Sequence, residues 1–233
     1  MASKRNIVIL TGSGISAESG LATFRASDGL WHDHKIEDVA SPEGYERNPT
    51  LVHDFYNARR KRLLSDVVAP NAAHKALARL EDENKGSVVL ITQNVDNLHE
   101  RAGSTSVLHM HGELLKTQCT SCDAVRPTEQ ATTIESTCSE CGAVGSIRPR
   151  IVWFGEMPLF LDVIEQALAK ADVFASIGTS GNVYPAAGFH QIASANGART
   201  VEINLEATGS RFDEVLVGKA SIAVPDWVSS LLD

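Results

Sequence analysis

Short, largely continuous runs of apolar and β-branched residues recur at positions 6–10, 87–92, 173–177 and 200–204. A strand with one wet face alternates apolar with polar residues, whereas a strand covered on both faces reads as an unbroken apolar run. Between these runs, residues 51–64, 72–83, 159–171, 184–195 and 226–231 carry helix-like patterns. Parallel strands need a crossover of roughly a dozen or more residues, and a helix supplies it. The alternation therefore predicts an α/β fold in which helices wrap a parallel sheet.

Two regions break the rhythm. Residues 26–49, with Gly29, Pro42, Gly44 and Pro49 among scattered charges, read as a long loop or a set of short helical turns, the kind of segment that forms a lid or binding loop. Residues 119–141 are polar, rich in Ser and Thr, and hold all four cysteines. At 233 residues, 43% of them hydrophobic, the chain can bury one large core plus such an insert. Its charge of -8, from 21 basic and 29 acidic residues, lacks the basic footprint that nucleic acid demands. No stretch reaches the ~18 to 20 apolar residues needed to span a bilayer, and the run at 7–10 is too short for a signal-peptide core. The expected location is the cytoplasm, with no membrane partner.

Thiols stay reduced there, so clustered cysteines read as metal ligands. Cys119-x-x-Cys122, fifteen residues, then Cys138-x-x-Cys141 has the spacing of a tetrahedral zinc site. Four thiolates leave no open coordination position, which makes the one zinc structural. A redox dithiol or chance spacing are the alternatives. The metal would hold together a segment with too few apolar residues to fold alone.

The first apolar run leads into Thr11-Gly12-Ser13-Gly14-Ile15-Ser16-Ala17, a G-x-G-x-x-G/A pattern ending on Ala17. Glycines there let backbone approach a pyrophosphate, whose charge meets the N–H groups of a helix start; a plain tight turn is the bland reading. A dinucleotide dehydrogenase would continue to a second buried strand with an acidic ribose ligand about 20 residues on. Glu37 and Asp38 lie near that distance, but Trp31-His32-Asp33-His34-Lys35-Ile36 is no buried strand. The later strand ends Gly178-Thr179-Ser180 and Asn204-Leu205-Glu206 are better placed to grip the nucleotide.

Gln93-Asn94-Val95-Asp96 follows another apolar run and could orient a ribose and a departing amide. His111, beside Gly112, could approach a ligand closely and move protons near neutral pH. Asn94 and Asp96 could equally be turn formers, and His111 a structural histidine. Two other classes remain open: a metal-dependent hydrolase, if His109 and His111 face the same way on a strand, and a non-catalytic nucleotide-binding module with a zinc ribbon.

Taken in order, Gly12 to Gly20, Thr23-Phe24-Arg25, Gln93-Asn94-Val95-Asp96, His111-Gly112, the four cysteines, Val152-Trp153-Phe154-Gly155-Glu156, Gly178-Thr179-Ser180 and Asn204-Leu205-Glu206 resemble the sirtuin family over nearly the whole chain. The likeness is greatest to its bacterial class III members. The resemblance implies a Rossmann-like, doubly wound parallel sheet with helices on both faces and a small inserted zinc-binding domain. The large domain would comprise about 1–30, 65–115 and 150–233, and the small one about 31–64 and 116–149. It implies NAD as a consumed co-substrate, acylated lysine-containing proteins as substrates, and a monomer. Gly12, Ser13, Gly14, Ser16, Ala17, Phe24, Arg25, Gln93, Val95, the residues of the two later strand ends and Ala220 would contact NAD. Asn94 and Asp96 would position its ribose, and His111 would act as base on a ribose hydroxyl. The substrate peptide would pair with residues 152–156.

Tyr56 and Arg59 stand three apart on an expected helix and share a face. An arginine can take a carboxylate bidentately, and a tyrosine hydroxyl adds a donor. By itself the basic stretch 59–62 could be a solvated face. Within the resemblance, Tyr56 and Arg59 match the pair that recognises succinyl and malonyl groups, and Ala40 matches the small residue that makes room for them.

Overall fold

The computed structural model describes residues 4–22, 30–31 and 34–233, with backbone alone at 30–31. Strands β1 (Ile7–Thr11), β4 (Val88–Thr92), β5 (Val107–His109), β9 (Val173–Ile177), β10 (Arg199–Asn204) and β11 (Glu214–Val217), numbered in chain order, form one sheet in the order β11-β10-β9-β1-β4-β5. Every neighbouring pair is parallel. The chain winds one way from β1 through β4 to β5, and the other way from β9 through β10 to β11. The order reverses between β1 and β9, the point at which doubly wound sheets open a ligand crevice.

Successive side chains of a strand point to opposite faces, and β1 shows why its run has to be continuous. Ile7 and Ile9 pack with Leu77 and Leu80 of α4 (Ala72–Glu83) and Val224 and Val228 of α8 (Ala220–Leu232). Val8 and Leu10 face the other layer, with Ile164 and Leu168 of α6 (Leu161–Leu168) and Phe189 of α7 (Phe189–Ala195). All five residues of β1 are buried. At about 1.5–3 kcal/mol for each large aliphatic side chain removed from water, a polar residue at either parity would lose a full packing interaction.

A third apolar cluster lies over the carboxyl edge of this sheet. It joins Val39 of α1 (Ile36–Val39) and Val52, Phe55, Tyr56 and Leu63 of α3 (Pro49–Leu63) to Leu114, Ile151 and Trp153. The short helix α2 (Pro42–Arg47) precedes α3, and Asn48 caps α3 by accepting from Leu51 N at 3.0 Å. A smaller antiparallel sheet, ordered β7-β6-β8, consists of β6 (Gly112–Cys119), β7 (Val125–Pro127) and β8 (Ile147–Ile151). The two-residue strands β2 (Leu30–Trp31) and β3 (His34–Lys35) pair antiparallel, and α5 (Leu98–Ala102) follows β4. Among the described residues no helix is long and apolar enough to cross a membrane.

The expected elements shift in three informative places. The glycine turn runs into a seven-residue 3-10 helix, Ser13–Ser19, and not an α-helix. α8 begins at Ala220 and contains Pro225, a residue that normally marks a helix boundary; Val224 beside it is fully buried against α4, so packing overrides the local signal. The expected helix over 184–195 is a short 3-10 turn, Ala186–Gly188, followed by α7.

Candidate active-site cleft

Strands β1, β4 and β9 end level: Thr11 is opposite both Thr92 and Ile177. The ladder continues one step beyond them, with Gly12 N donating to Ile177 O at 3.0 Å and Gln93 N to Thr11 O at 2.9 Å. At the switch point the backbones all but touch. A Cβ on Gly12 or Gly14 would lie 2.7 Å from Gly178 O or Gly178 Cα, respectively. Gly178 itself has φ +63°, a left-handed conformation that favours glycine.

Above these strand ends opens a cleft of about 880 Å³. Gly12, Ser13, Ser16 and the segment Gly178-Thr179-Ser180 line it, as do all four residues from Gln93 to Asp96 and His111. At its other side stand Ala40, Tyr56, Arg59 and residues 152–156. Several residues expected at the cofactor lie beyond this lining. Gly14 packs behind it, its N donating to Gly178 O at 2.9 Å, and Ala17 is exposed. Asn204 reaches back to donate to Thr179 O at 2.7 Å, while Leu205 and Glu206 are exposed and Ala220 opens α8. Phe24 and Arg25 fall outside the described residues.

The Gln93–Asp96 loop is held from beneath by a chain of buried hydroxyls. His99 Nε2 stands 3.0 Å from Thr11 Oγ1, whose proton goes to Thr92 Oγ1 at 2.9 Å; Thr92 Oγ1 in turn accepts from Asn94 N at 3.0 Å. Because the Thr11 hydroxyl proton is already committed, His99 donates to it from Nε2, and burial keeps that ring neutral with a pKa well below 6.5. Ser16 completes the loop, donating to Asp96 Oδ2 at 3.0 Å and accepting from Asn94 Nδ2 at 3.2 Å. Burial raises the Asp96 pKa, opposed by its bonds from Leu98 N and Ser16. Sequence reasoning missed Thr92 and His99, whose contacts span 81 and 88 residues of chain.

Two histidines two residues apart meet opposite fates. His111 Nδ1 lies 3.2 Å from the Gln93 carbonyl. A carbonyl only accepts, so Nδ1 carries the proton and Nε2 is left as the basic nitrogen. Burial lowers the His111 pKa, against the smaller opposing effect of the Gln93 carbonyl. His109 Nδ1 likewise meets the Asn94 carbonyl at 3.2 Å, but its Nε2 lies 2.7 Å from Glu100 Oε1. Burial alone would lower the His109 pKa; the Glu100 carboxylate overcomes it and raises the value.

These positions correct two expectations. β5 ends at His109 and His111 sits in the following turn, so the two are not alternate residues of one strand. Among the described residues, moreover, the one grouping of three or more potential metal ligands is the four cysteines. Gly112, for its part, lets β8 pass close to the turn: with φ +83°, its Cβ would stand 2.1 Å from Arg150 O.

At the far side, α3 carries Tyr56 and Arg59. The Tyr56 hydroxyl accepts from Trp153 Nε1 at 3.0 Å, and burial raises its pKa, keeping it protonated. Arg59 stacks its guanidinium 3.2 Å from the Phe55 ring centroid and donates to Phe55 O. Burial lowers its pKa to about 10, still charged at neutral pH. Arg60 is buried and Arg59 partly so, which rules out a solvated basic face at these two positions. The loop at 152–156 is tied down by Val152 N to His111 O (3.0 Å) and Phe154 N to Ala40 O (2.9 Å). Glu156, expected at the substrate, uses both oxygens on protein partners: on Arg148 of β8 at 2.6 and 3.0 Å, and on Trp153 N within the loop at 2.8 Å.

The four cysteine sulfurs lie within 4.8 Å of one another, with Cys119–Cys141 at 3.8 Å and Cys122–Cys138 at 3.7 Å. No disulfide joins them. Tetrahedral zinc with Zn–S near 2.3 Å requires sulfurs about 3.8 Å apart, so the set fits a closed structural zinc site.

Residues 12–185 match the model of the Sir2 family. The chain is 56% identical over 230 residues to the NAD-dependent protein deacylase of Vibrio cholerae serotype O1, covering 98% of this chain and 94% of that protein. It is 54% identical over 231 residues to the enzyme of the same name from Escherichia coli strain K12, covering 98% and 83%. A solved Sir2 homolog–NAD complex superposes with TM-score 0.87 at 40% identity, over 97% of this chain and 90% of the other. A Sir2Af2 structure bound to a myristoylated histone peptide gives 0.74 at 32% identity, over 97% and 90%. The chain belongs to the Sir2 family.

Structural zinc binding amounts to ~10–16 kcal/mol in small zinc modules, so the metal should decide whether residues 119–141 fold. Cys138→Ser is expected to take zinc, measured by elemental analysis, from one per chain to near none and to lower the melting temperature. Full metal retention with unchanged melting would contradict the assignment.

Proposed function

We propose that the chain is an NAD-dependent protein lysine deacylase that removes acetyl and succinyl groups, and malonyl by the same chemistry, with nicotinamide, O-acyl-ADP-ribose and free lysine as products. The observation that carries this reading is a single cleft whose lining joins His111, in a fixed tautomer, to the glycine-bearing strand ends and to Tyr56 and Arg59. The names of the Vibrio and Escherichia relatives support it.

In this reading the N–H groups at Gly12–Ser16 and the Gly178–Ser180 segment hold the pyrophosphate portion of NAD, with Gly14 and Ala17 shaping the turn. Asn94 and Asp96, locked together by Ser16, orient the nicotinamide ribose, and Gln93 and Val95 complete that wall. His111 Nε2 takes the proton of a ribose hydroxyl, and burial keeps the ring in the neutral form this needs. The acylated peptide lies along residues 152–155, where main-chain bonds give affinity with little sequence selectivity; Glu156 holds that loop in shape. Arg59 and the Tyr56 hydroxyl meet the terminal carboxylate of a succinyl group in the space left by Ala40. Zinc on the four cysteines holds the small module and takes no part in the chemistry. The large and small domains divide near residues 30, 65, 115 and 150, and the enzyme works as a cytoplasmic monomer.

His111→Ala should lower turnover by about 10²–10⁴-fold, the range for loss of a general base, with zinc content and circular dichroism unchanged. Since the neutral ring is the active form and its pKa is lowered, kcat/KM should fall on acidification with a midpoint below 6.5. A midpoint above 6.5, or retained turnover in the variant, would contradict the role. A charge-assisted bond contributes about 1.5–3 kcal/mol, so Arg59→Met should reduce the ratio of desuccinylation to deacetylation by roughly ten- to a hundredfold. Equal losses on the two peptides would remove Arg59 from acyl recognition.

A further inference from the structure

Helix α3 has two polar faces with different partners. Tyr56 and Arg59 line the cleft. His53, Asn57 and Arg60, spaced along a second stripe about 100° round the helix, all reach one short strap, residues 130–132, which lies between the two cysteine pairs. Asn57 grips a single residue of the strap from both sides: Thr132 N donates to Asn57 Oδ1 at 2.9 Å, and Asn57 Nδ2 donates to Thr132 O at 2.8 Å. His53 Nδ1 meets Thr132 Oγ1 at 2.9 Å. Arg60 donates from Nη1 to Gln130 O at 3.0 Å and to Asn57 Oδ1 at 2.9 Å, and from Nε to Leu114 O at 3.2 Å.

This bracket is buried: His53 and Arg60 are 1% exposed and Thr132 8%. No ion pair joins Arg60 to a carboxylate among the described residues, and its Nη2 has no hydrogen-bond partner. A buried guanidinium satisfied only by neutral oxygens is an expensive way to fill space, and an apolar side chain of similar volume often packs as well or better. What carbonyl-directed bonds add is direction. They fix the rotation of α3 about its own axis against a strap on the zinc-module side. With a helix radius of roughly 5–6 Å including side chains, a rotation of about 20° moves a surface group by about 2 Å. A shift of about 1 Å in a positioning group can already cost on the order of a hundredfold.

We propose that His53, Asn57 and Arg60 are positioning residues for acyl recognition, clamping α3 to the strap at 130–132 so that Arg59 stands where a terminal carboxylate needs it. This rests on the reading of Arg59 given above. It assigns the zinc module a part in substrate choice, exerted through the face of the helix next to the one that carries the acyl pocket. A clamp that served stability alone would weaken reactions on all acyl groups in step.

The test uses the full-length, zinc-loaded protein with Asn57→Ala, Asn57→Ser as the milder change should the first fail to fold, and Arg59→Met alongside. For the Asn57 variants, the expected result is a drop of at least about tenfold in the succinyl-to-acetyl ratio of kcat/KM. The drop should arise in KM for the succinylated peptide, with one zinc per chain retained. An unchanged ratio in both Asn57 variants, while Arg59→Met collapses it, would overturn the clamp and leave the Arg59 reading intact. An unchanged ratio in Arg59→Met would overturn the Arg59 reading and the clamp with it.

Discussion

A methyl group added to Gly178 would stand 2.4 Å from the Ile15 nitrogen, and one added to Gly14 would stand 2.7 Å from the Gly178 Cα. That close passage of two chain segments, at the ends of adjacent parallel strands, sets the geometry of the cleft. It is possible because β1 and β9 end level, and they end level because their side chains interlock with helix layers on both faces of the sheet. Gln93 leaves the next strand at the same height, bonded to the Thr11 carbonyl. The hydrophobic core thus sets the height from which the polar residues of the cleft project.

From that base, short-range chemistry differentiates groups of the same kind. His109 and His111 both bond a carbonyl of the Gln93–Asp96 loop through Nδ1. One has a carboxylate on its other nitrogen and is biased toward the cation; the other has none there and is biased toward the neutral base. Ser16 accepts from Asn94 while donating to Asp96, so a single hydroxyl fixes both side chains assigned to the ribose. On α3, Arg59 and Arg60 are neighbours in sequence and serve different partners, one partly buried at the cleft and one buried against the strap.

Much of this was legible in the sequence, for identifiable reasons. The run at 173–177 and the helix at 72–83 coincide with β9 and α4, since buried strands and amphipathic helices advertise themselves by period. The cysteine spacing announced its cluster because two Cys-x-x-Cys turns encode their own geometry. Tertiary constraints were less visible. β5 and β11, three and four residues long at the sheet edges, carry too few apolar residues to stand out. Pro225 concealed the first half of α8. The work of Thr92, His99, Glu100 and Glu156 is set by partners that folding brings close, as is the need for glycine at 112, where β8 passes against the backbone. The clamp on α3 joins residues about 70 to 80 apart in the chain, beyond the reach of any local pattern.

Coupling of NAD consumption to lysine deacylation in this cleft, with room for an acidic acyl group, shows itself in product stoichiometry. Purified protein would be incubated with NAD and a matched pair of acetylated and succinylated peptides, and the products followed by mass spectrometry. Equimolar nicotinamide, O-acyl-ADP-ribose and freed lysine are expected, with both peptides accepted. Lysine freed without NAD, or no reaction on either peptide, would contradict that coupling.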